Sequence, residues 1–343
     1  MEGTGGHAGP PPTVTATPEQ GVEAEAAAPE NEATAQESVP QTPRPTARDF
    51  IRLARLKQWA KGVFVLIGPL YALVDGHVVP WLAVVSAFLA FGLASSGSYV
   101  INDIRDREAD RRHPRKCRRP IASGRISVPV AMRFAVVMFL ASAALVLPVG
   151  LMAGAAAAGW LGLVLALYVA NVTAYSLAIK HVVILDVMSL SMGFVLRVLG
   201  GCACIAVAPS TWLLNCTLFL AMFLAFGKRL GERRTLGEQA DEARRVQAIY
   251  TDHLLRMMVV MTAVATLVTY AGYVQGRAEF FNGLNVLWFT MLPAVFALLR
   301  CIVLVEKGEY DDPTELATGD RQFQVASVIF ALLTLVAFAA GRG

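Results

Sequence analysis

The stretch Asn102–Gly124 reads NDIRDREADRRHPRKCRRPIASG and follows the apolar run Trp81–Val100 directly. Asp103, Asp106 and Asp110 fall at i, i+3 and i+7, a spacing that puts three carboxylates on one face of a helix. Carboxylates so placed repel one another unless a cation sits among them. Mg²⁺ suits them, because a hard ion takes oxygen ligands, keeps several waters and is commonly shared with substrate phosphates. The plainer alternative is a solvated loop whose arginines only set membrane topology, but topology needs the basic residues and not the aspartates. The continuation supplies Arg115, Lys116, Arg118 and Arg119 beside Arg105, and guanidinium forks take phosphate oxygens while the carboxylates hold the metal. His113 before a proline is a weak signal that fits a structural role, and Pro120 and Gly124 punctuate the turn into the next apolar run.

The stretch belongs to a membrane protein. The chain has 343 residues, of which 55% are hydrophobic and only 16% charged, with mean hydropathy +0.53, outside the range of ordinary soluble domains. The net charge of +4 does not indicate nucleic-acid binding, since Arg and Lys cluster between apolar runs. Cys117, Cys202, Cys204, Cys216 and Cys301 have no ligand-type spacing and read as small apolar residues, not as a disulfide framework or zinc site. Residues 1–47 are rich in Ala, Pro, Thr and Glu and lack periodicity, which reads as a disordered tail without signal-peptide features. The transmembrane domain is then 48–343. It opens on a basic amphipathic stretch, Ala47–Gly62, expected to lie along the membrane surface with Trp59 as interface anchor.

Apolar runs of spanning length recur at 62–79, 81–101, 127–147, 149–171, 182–206, 210–227, 254–275, 284–305 and 322–340. With about 20 residues needed per crossing, they predict an all-α polytopic bundle of about nine transmembrane helices. Basic residues then collect on the amino-terminal side, at Arg44 to Lys61, 103–126, Lys180, 228–256, Lys307 and Arg321. The positive-inside rule places that side, with the aspartate loop and the amino terminus, in the cytoplasm of a cell-membrane protein.

Two further polar islands fall on that side. One is Tyr175–Asp186, YSLAIKHVVILD, with Lys180, and with Arg197 farther along the same span. Asp186 and Arg197 lie within a membrane helix, where ionisable groups are functional or paired, and eleven residues of separation put them on one face. The alternative is a structural pairing of Asp and Arg across helices. The other island is Gly227–Glu232, GKRLGE, where Lys228 and Arg229 are phosphate ligands or simply charges that stop a span.

Together these residues resemble the UbiA superfamily of intramembrane transferases, whose first signature NDxxDxxxD is matched by Asn102, Asp103, Asp106 and Asp110. Within it, the HPxKxxRPIA continuation, RLKQWAKG (Arg55–Gly62), IKH (Ile179–His181) and GKRLGE are similar to the decaprenyl-phosphate phosphoribosyltransferase branch, over about residues 48–343. Aromatic prenyltransferases of the superfamily carry a second aspartate motif where this chain has Gly227–Glu232. Relatives in the branch tend to show RPxQWxKN where this chain has Leu56 and Gly62, which bears on the carry-over of Gln58 and Lys61.

The resemblance implies a UbiA-like bundle around a central cavity. It implies transfer of 5-phosphoribosyl from 5-phosphoribosyl-1-diphosphate to a polyprenyl phosphate of decaprenyl type, releasing diphosphate, for cell-envelope glycan precursors (the arabinose donor). Asp103, Asp106 and Asp110 would then be catalytic and, with Asn102, hold Mg²⁺. Gln58, Lys61, Asn102, Arg105, Lys116, Arg118, Arg119, Tyr175, Lys180, Asp186, Arg197, Lys228, Arg229 and Glu232 would bind substrate. The alternative enzyme moves a prenyl chain from a prenyl diphosphate to an aromatic acceptor and requires the second aspartate site. A transporter would use Asp186 and Arg197 as pathway residues, but no internal repeat supports one. Association into a homo-oligomer is left open.

Overall fold

A computed structural model of the protein describes residues 45–114, 116–236, 249–276, 280–281, 284–307 and 319–340; the proposed tail up to residue 44 and Arg115 lie outside them. The first described helix, α1 (Ala47–Ala54), begins where the Asp49 carboxylate accepts from the Thr46 amide at 3.1 Å and hydroxyl at 2.7 Å. It docks on the bundle by Leu53, which is fully buried with Val100, Ile121 and Ile126, and by the Phe50 ring against Phe134. Arg55 in the left-handed region (φ 51°) ends α1 and starts a 3-10 turn, Leu56–Gly62. Trp59, expected at the membrane interface, lies half-buried against α3. Its indole donates to Ser96 Oγ at 3.0 Å, and its ring fills space that a Cβ on Gly92 would enter at 2.7 Å.

From the 3-10 turn the chain continues as α2 (Val63–Val74), then α3 (Trp81–Arg105), the short α4 (Arg107–Arg112), α5 (Val128–Ala144), α6 (Val146–Ala153) and α7 (Ala155–Leu177). The remaining helices are α8 (Leu185–Ala203), α9 (Thr211–Leu236), α10 (Asp252–Gly276), α11 (Met291–Lys307) and α12 (Arg321–Ala340). Among the described residues eight helices are long and apolar enough to cross a membrane, with α5 and α6 making one crossing, Val128–Ala153. The break expected near 148 falls instead at Gly154, whose φ of 94° suits glycine, while Pro148 is tolerated in the first turn of α6. The apolar run 62–79 yields only the 12 residues of α2, which end before Asp75-Gly76. That helix rises about 18 Å, shorter than any of the eight long spans, and it continues directly from the polar 3-10 turn. Ser96, Gly92 and Phe88, successive turns of α3, meet Ala54, Trp59 and Gly62 in that order, so this segment descends antiparallel to α3.

Consecutive spans pack on one another, and α2 crosses back onto α8. There a Cβ on Gly201 would collide with the Val65 carbonyl, so glycine lets the two backbones touch. One apolar core joins α2, α3, α6, α7 and α8, and a second joins α8, α9, α10 and α11. Outward residues such as Leu140, Leu151, Val268 and Leu335 stay exposed, which in a bilayer means lipid contact. The two most enclosed spans are α3 and α8, each 67% buried. Asp103 lies at the end of α3 and Asp186 at the start of α8, so the rigid centre of the bundle carries both carboxylate islands.

Candidate active site

Where the apolar side chains of α3 run out, the backbone keeps its helical turn. Asp106 N–H bonds the Asn102 carbonyl at 2.9 Å and Asp110 N–H the Asp106 carbonyl at 2.8 Å. The expected face therefore forms, with Asp103 and Asp110 buried and Asp106 half-buried. Cations do sit among the carboxylates, and they are side chains. Arg119 Nη1 bridges Asp103 Oδ1 at 3.1 Å and Asp110 Oδ2 at 2.6 Å. Arg55 reaches the same oxygen of Asp103. Lys180, on the 3-10 turn Ile179–His181, stands 3.3 Å from Asp106 Oδ1, whose other oxygen accepts from the Asn102 amide at 2.9 Å.

Backbone packing places these cations. The left-handed Arg55 ends α1 against α3, and Arg119 precedes a turn anchored by Ile121 and Ala122 in the core beside Leu53. Glu108 is not part of the cluster: it is exposed, and the Arg107 hydrogen bond holds its carboxyl below the ordinary value, with desolvation opposing and Arg111 adding to the effect. Among the described residues no three carboxylate, His or Cys side chains converge as a ready metal cage. The donor set nevertheless fits Mg²⁺, consisting only of hard oxygens with no imidazole or thiolate.

The segment 175–180 connects this cluster to a second one. Arg105 donates to the Leu177 carbonyl at 3.4 Å and Lys180 meets Asp106, while Tyr175 stands beside Arg229. Arg229, buried near the end of α9, pairs with Asp186 at 3.2 Å and Glu232 at 3.4 Å. The other Asp186 oxygen accepts from the Tyr250 hydroxyl at 2.8 Å, and that hydroxyl accepts the Ile184 amide at 2.7 Å. Ile184 has φ 70°, a strained state for a β-branched residue, worth about 1–3 kcal/mol and held by its surroundings. Burial pushes the Tyr250 phenol above its ordinary value, with the Ile184 amide pulling down and Asp186 pushing up. It stays a neutral donor.

Lys116 and Arg118 are exposed. Gln58 and Lys61 lie half-buried on the 3-10 turn after Arg55, and Lys228 is half-buried on α9. Arg197 does not join either cluster or pair with Asp186. It is buried about three turns away, donating to the Gly193 carbonyl at 2.8 Å and the Tyr168 hydroxyl at 2.7 Å, with its guanidinium over the Tyr168 ring. Arg55 and Tyr250 were not expected as site residues. The sequence signal for Arg55 is its place at the head of RLKQWAKG; Tyr250 has none.

The fold and the site thus define a polytopic helical membrane protein whose acidic and basic side chains meet at one end of the bundle. Residues 62–328 match the UbiA prenyltransferase family, and the chain belongs to that family of membrane enzymes. It is 34% identical to a decaprenyl-phosphate phosphoribosyltransferase from Mycolicibacterium smegmatis over 294 residues, 82% of this chain and 90% of the relative. It is 32% identical to the protein of that name from Corynebacterium glutamicum, over 87% of this chain and 89% of the relative. The solved structure of a UbiA homolog from Archaeoglobus fulgidus bound to DMAPP and Mg²⁺ is similar in fold, with TM-score 0.60 at 17% identity, covering 85% of this chain and 99% of that one.

Proposed function

We propose that this protein transfers 5-phosphoribosyl from 5-phosphoribosyl-1-diphosphate to a polyprenyl phosphate at the cytoplasmic face of the plasma membrane, its product feeding cell-envelope glycan synthesis. One observation carries the choice of donor. Where a prenyl-diphosphate enzyme of the resembled pattern has a second aspartate motif, the end of α9 has Lys228, Arg229 and a single carboxylate of its own, Glu232, and Arg229 engages both that carboxylate and Asp186 of α8. That end of α9 suits a phosphate better than a second metal.

Asp103, Asp106 and Asp110, with Asn102, would hold Mg²⁺, which when bound neutralises charge on the departing diphosphate. The chain's own groups do the rest. Arg105, Arg119 and Lys180 stand at the mouth of the cluster, where their donors stabilise charge that grows as the bond from ribose C1 to diphosphate breaks. Arg229 and Lys228 offer a second phosphate seat one segment away, positioned by Asp186 and Tyr250. The new bond is made by a phosphate oxygen of the acceptor, already ionised near neutral pH, so no general base is required. For the lipid chain we assign the apolar groove of about 940 Å³ along α7, lined by Phe139, Gly162, Ala166, Thr173 and Leu177. It ends at Leu177, whose carbonyl takes Arg105. Purified protein given both substrates and Mg²⁺ is expected to yield a phosphoribosylated lipid by mass spectrometry; prenylation of an aromatic acceptor instead would overturn the reading.

A further inference from the structure

The place a divalent ion would take between Asp103 and Asp110 is held by the guanidinium of Arg119. We propose that Arg119 makes the cluster selective for a divalent ion arriving together with diphosphate and closes it to the bare ion; this rests on the metal reading above. Asp103 and Asp110 side chains are only 3% and 5% exposed, and one nitrogen of Arg119 contacts both. The three carboxylates face three cations, Arg55 on Asp103, Arg119 on Asp103 and Asp110, and Lys180 on Asp106. Among these ion-paired groups three negative charges less three positive leave no net charge, and Arg105 on the neighbouring Leu177 carbonyl adds a further positive charge at the mouth.

A bare divalent ion adds two positive charges to groups with no net negative charge and must expel Arg119 from two charge-assisted hydrogen bonds, leaving it nothing to bind. Diphosphate changes both terms. It brings negative charge, and its oxygens match the guanidinium fork, so the displaced Arg119 exchanges carboxylates for phosphate. The side chain can make that exchange, being 28% exposed while its backbone is fixed by the turn in which Ser123 N–H bonds the Arg119 carbonyl at 2.9 Å. Metal and diphosphate then strengthen each other's binding reciprocally.

Equilibrium dialysis of the full chain in detergent against Mn²⁺, with and without inorganic pyrophosphate, reads this directly without turnover. In the wild type, pyrophosphate should strengthen Mn²⁺ binding about tenfold or more, within the usual range of coupling between sites. Arg119→Gln should tighten bare Mn²⁺ by a similar factor and remove most of the pyrophosphate enhancement. Arg119→Lys, which keeps the charge, should leave bare Mn²⁺ weak; tightening equal to that of the Gln variant would overturn the charge argument. Should Arg119→Gln not fold, Lys180→Gln carries the test, because its partner Asp106 is 30% exposed and tolerates losing it; bare Mn²⁺ should tighten there too. Bare-ion binding that is unchanged or weaker in the Gln variants, while the wild type binds Mn²⁺ with pyrophosphate, overturns the proposal and leaves the metal site standing. No protein-dependent Mn²⁺ binding under any condition overturns the metal reading itself.

Discussion

The Tyr250 hydroxyl donates to Asp186 at 2.8 Å while accepting the amide of Ile184, the strained residue that opens α8. One phenol therefore fixes both the carboxylate that orients Arg229 and the backbone turn beneath it. Tyr250→Phe leaves a buried amide and a carboxylate oxygen without this partner, at a cost of about 1–3 kcal/mol. The expected result is a lower unfolding temperature in detergent together with a raised KM for the phosphoribosyl donor. An unchanged KM would show that the network supports the fold alone.

Gly92 has a sharper steric role. The Trp59 ring lies where its Cβ would be, at 2.7 Å, and the same indole bonds Ser96. Gly92→Ala forces the ring outward, and overpacking of this kind costs about 1–3 kcal/mol. Since α1 and the 3-10 turn carry Arg55 to Asp103, thermal stability and activity should fall together; Gly92→Ala with wild-type melting would contradict the packing described.

Most of the bundle was legible in the sequence because each crossing is a long apolar run, and the Asp103, Asp106 and Asp110 spacing survives because the helical turn continues past Arg105. Boundaries were less so. The runs 127–147 and 149–171 implied a break near 148, yet the positive φ falls at Gly154, and tertiary packing makes that choice. The short α2 was hidden by apolar residues beyond Asp75 that are not helical. Which cation meets which carboxylate depends on side chains 9 to 74 residues apart, from Arg119 with Asp110 to Lys180 with Asp106. No local pattern encodes that, nor the arrival of Tyr250 under α8.

A pH dependence follows from Asp320. Its carboxylate accepts from Arg300 at 2.7 Å and from the Phe323 amide at 2.7 Å. The Arg300 hydrogen bond holds its carboxyl below the ordinary value, burial opposes this, and the Phe323 amide adds to it. A carboxyl lowered on folding contributes stability that is complete above its unfolded value of about 3.9 and is lost as pH falls through the folded value. Unfolding temperature should drop on acidification through this range, and Asp320→Asn should flatten the drop while lowering stability at pH 7. An identical acid limb in the variant would rule out the linkage.

Filling the α7 groove should act on one substrate alone. Ala166 lines it well away from the charged clusters, so Ala166→Phe is expected to raise KM for a long polyprenyl phosphate several-fold while leaving KM for the phosphoribosyl donor unchanged. A short-chain acceptor, which does not reach Ala166, should not feel the change. Equal sensitivity of both acceptors, or of neither, would place the lipid chain elsewhere.

Asp106 separates chemistry from folding most cleanly. Unlike Asp103 and Asp110 it is 30% exposed, and its partners, Lys180 at 3.3 Å and the Asn102 amide at 2.9 Å, can turn to water when its charge is removed. Asp106→Asn keeps the volume and the hydrogen bond from Asn102 but deletes one anionic oxygen of the three that would hold the metal. Removing a single group that stabilises transition-state charge typically lowers kcat about a hundred-fold or more, whereas losing a partly exposed ion pair costs at most about 1 kcal/mol of stability. The variant should therefore insert, fold and melt like the wild type while turnover nearly vanishes. Near-normal turnover in a folded Asp106→Asn protein would mean that the acidic face is structural, and the chemistry would have to be sought around Arg229.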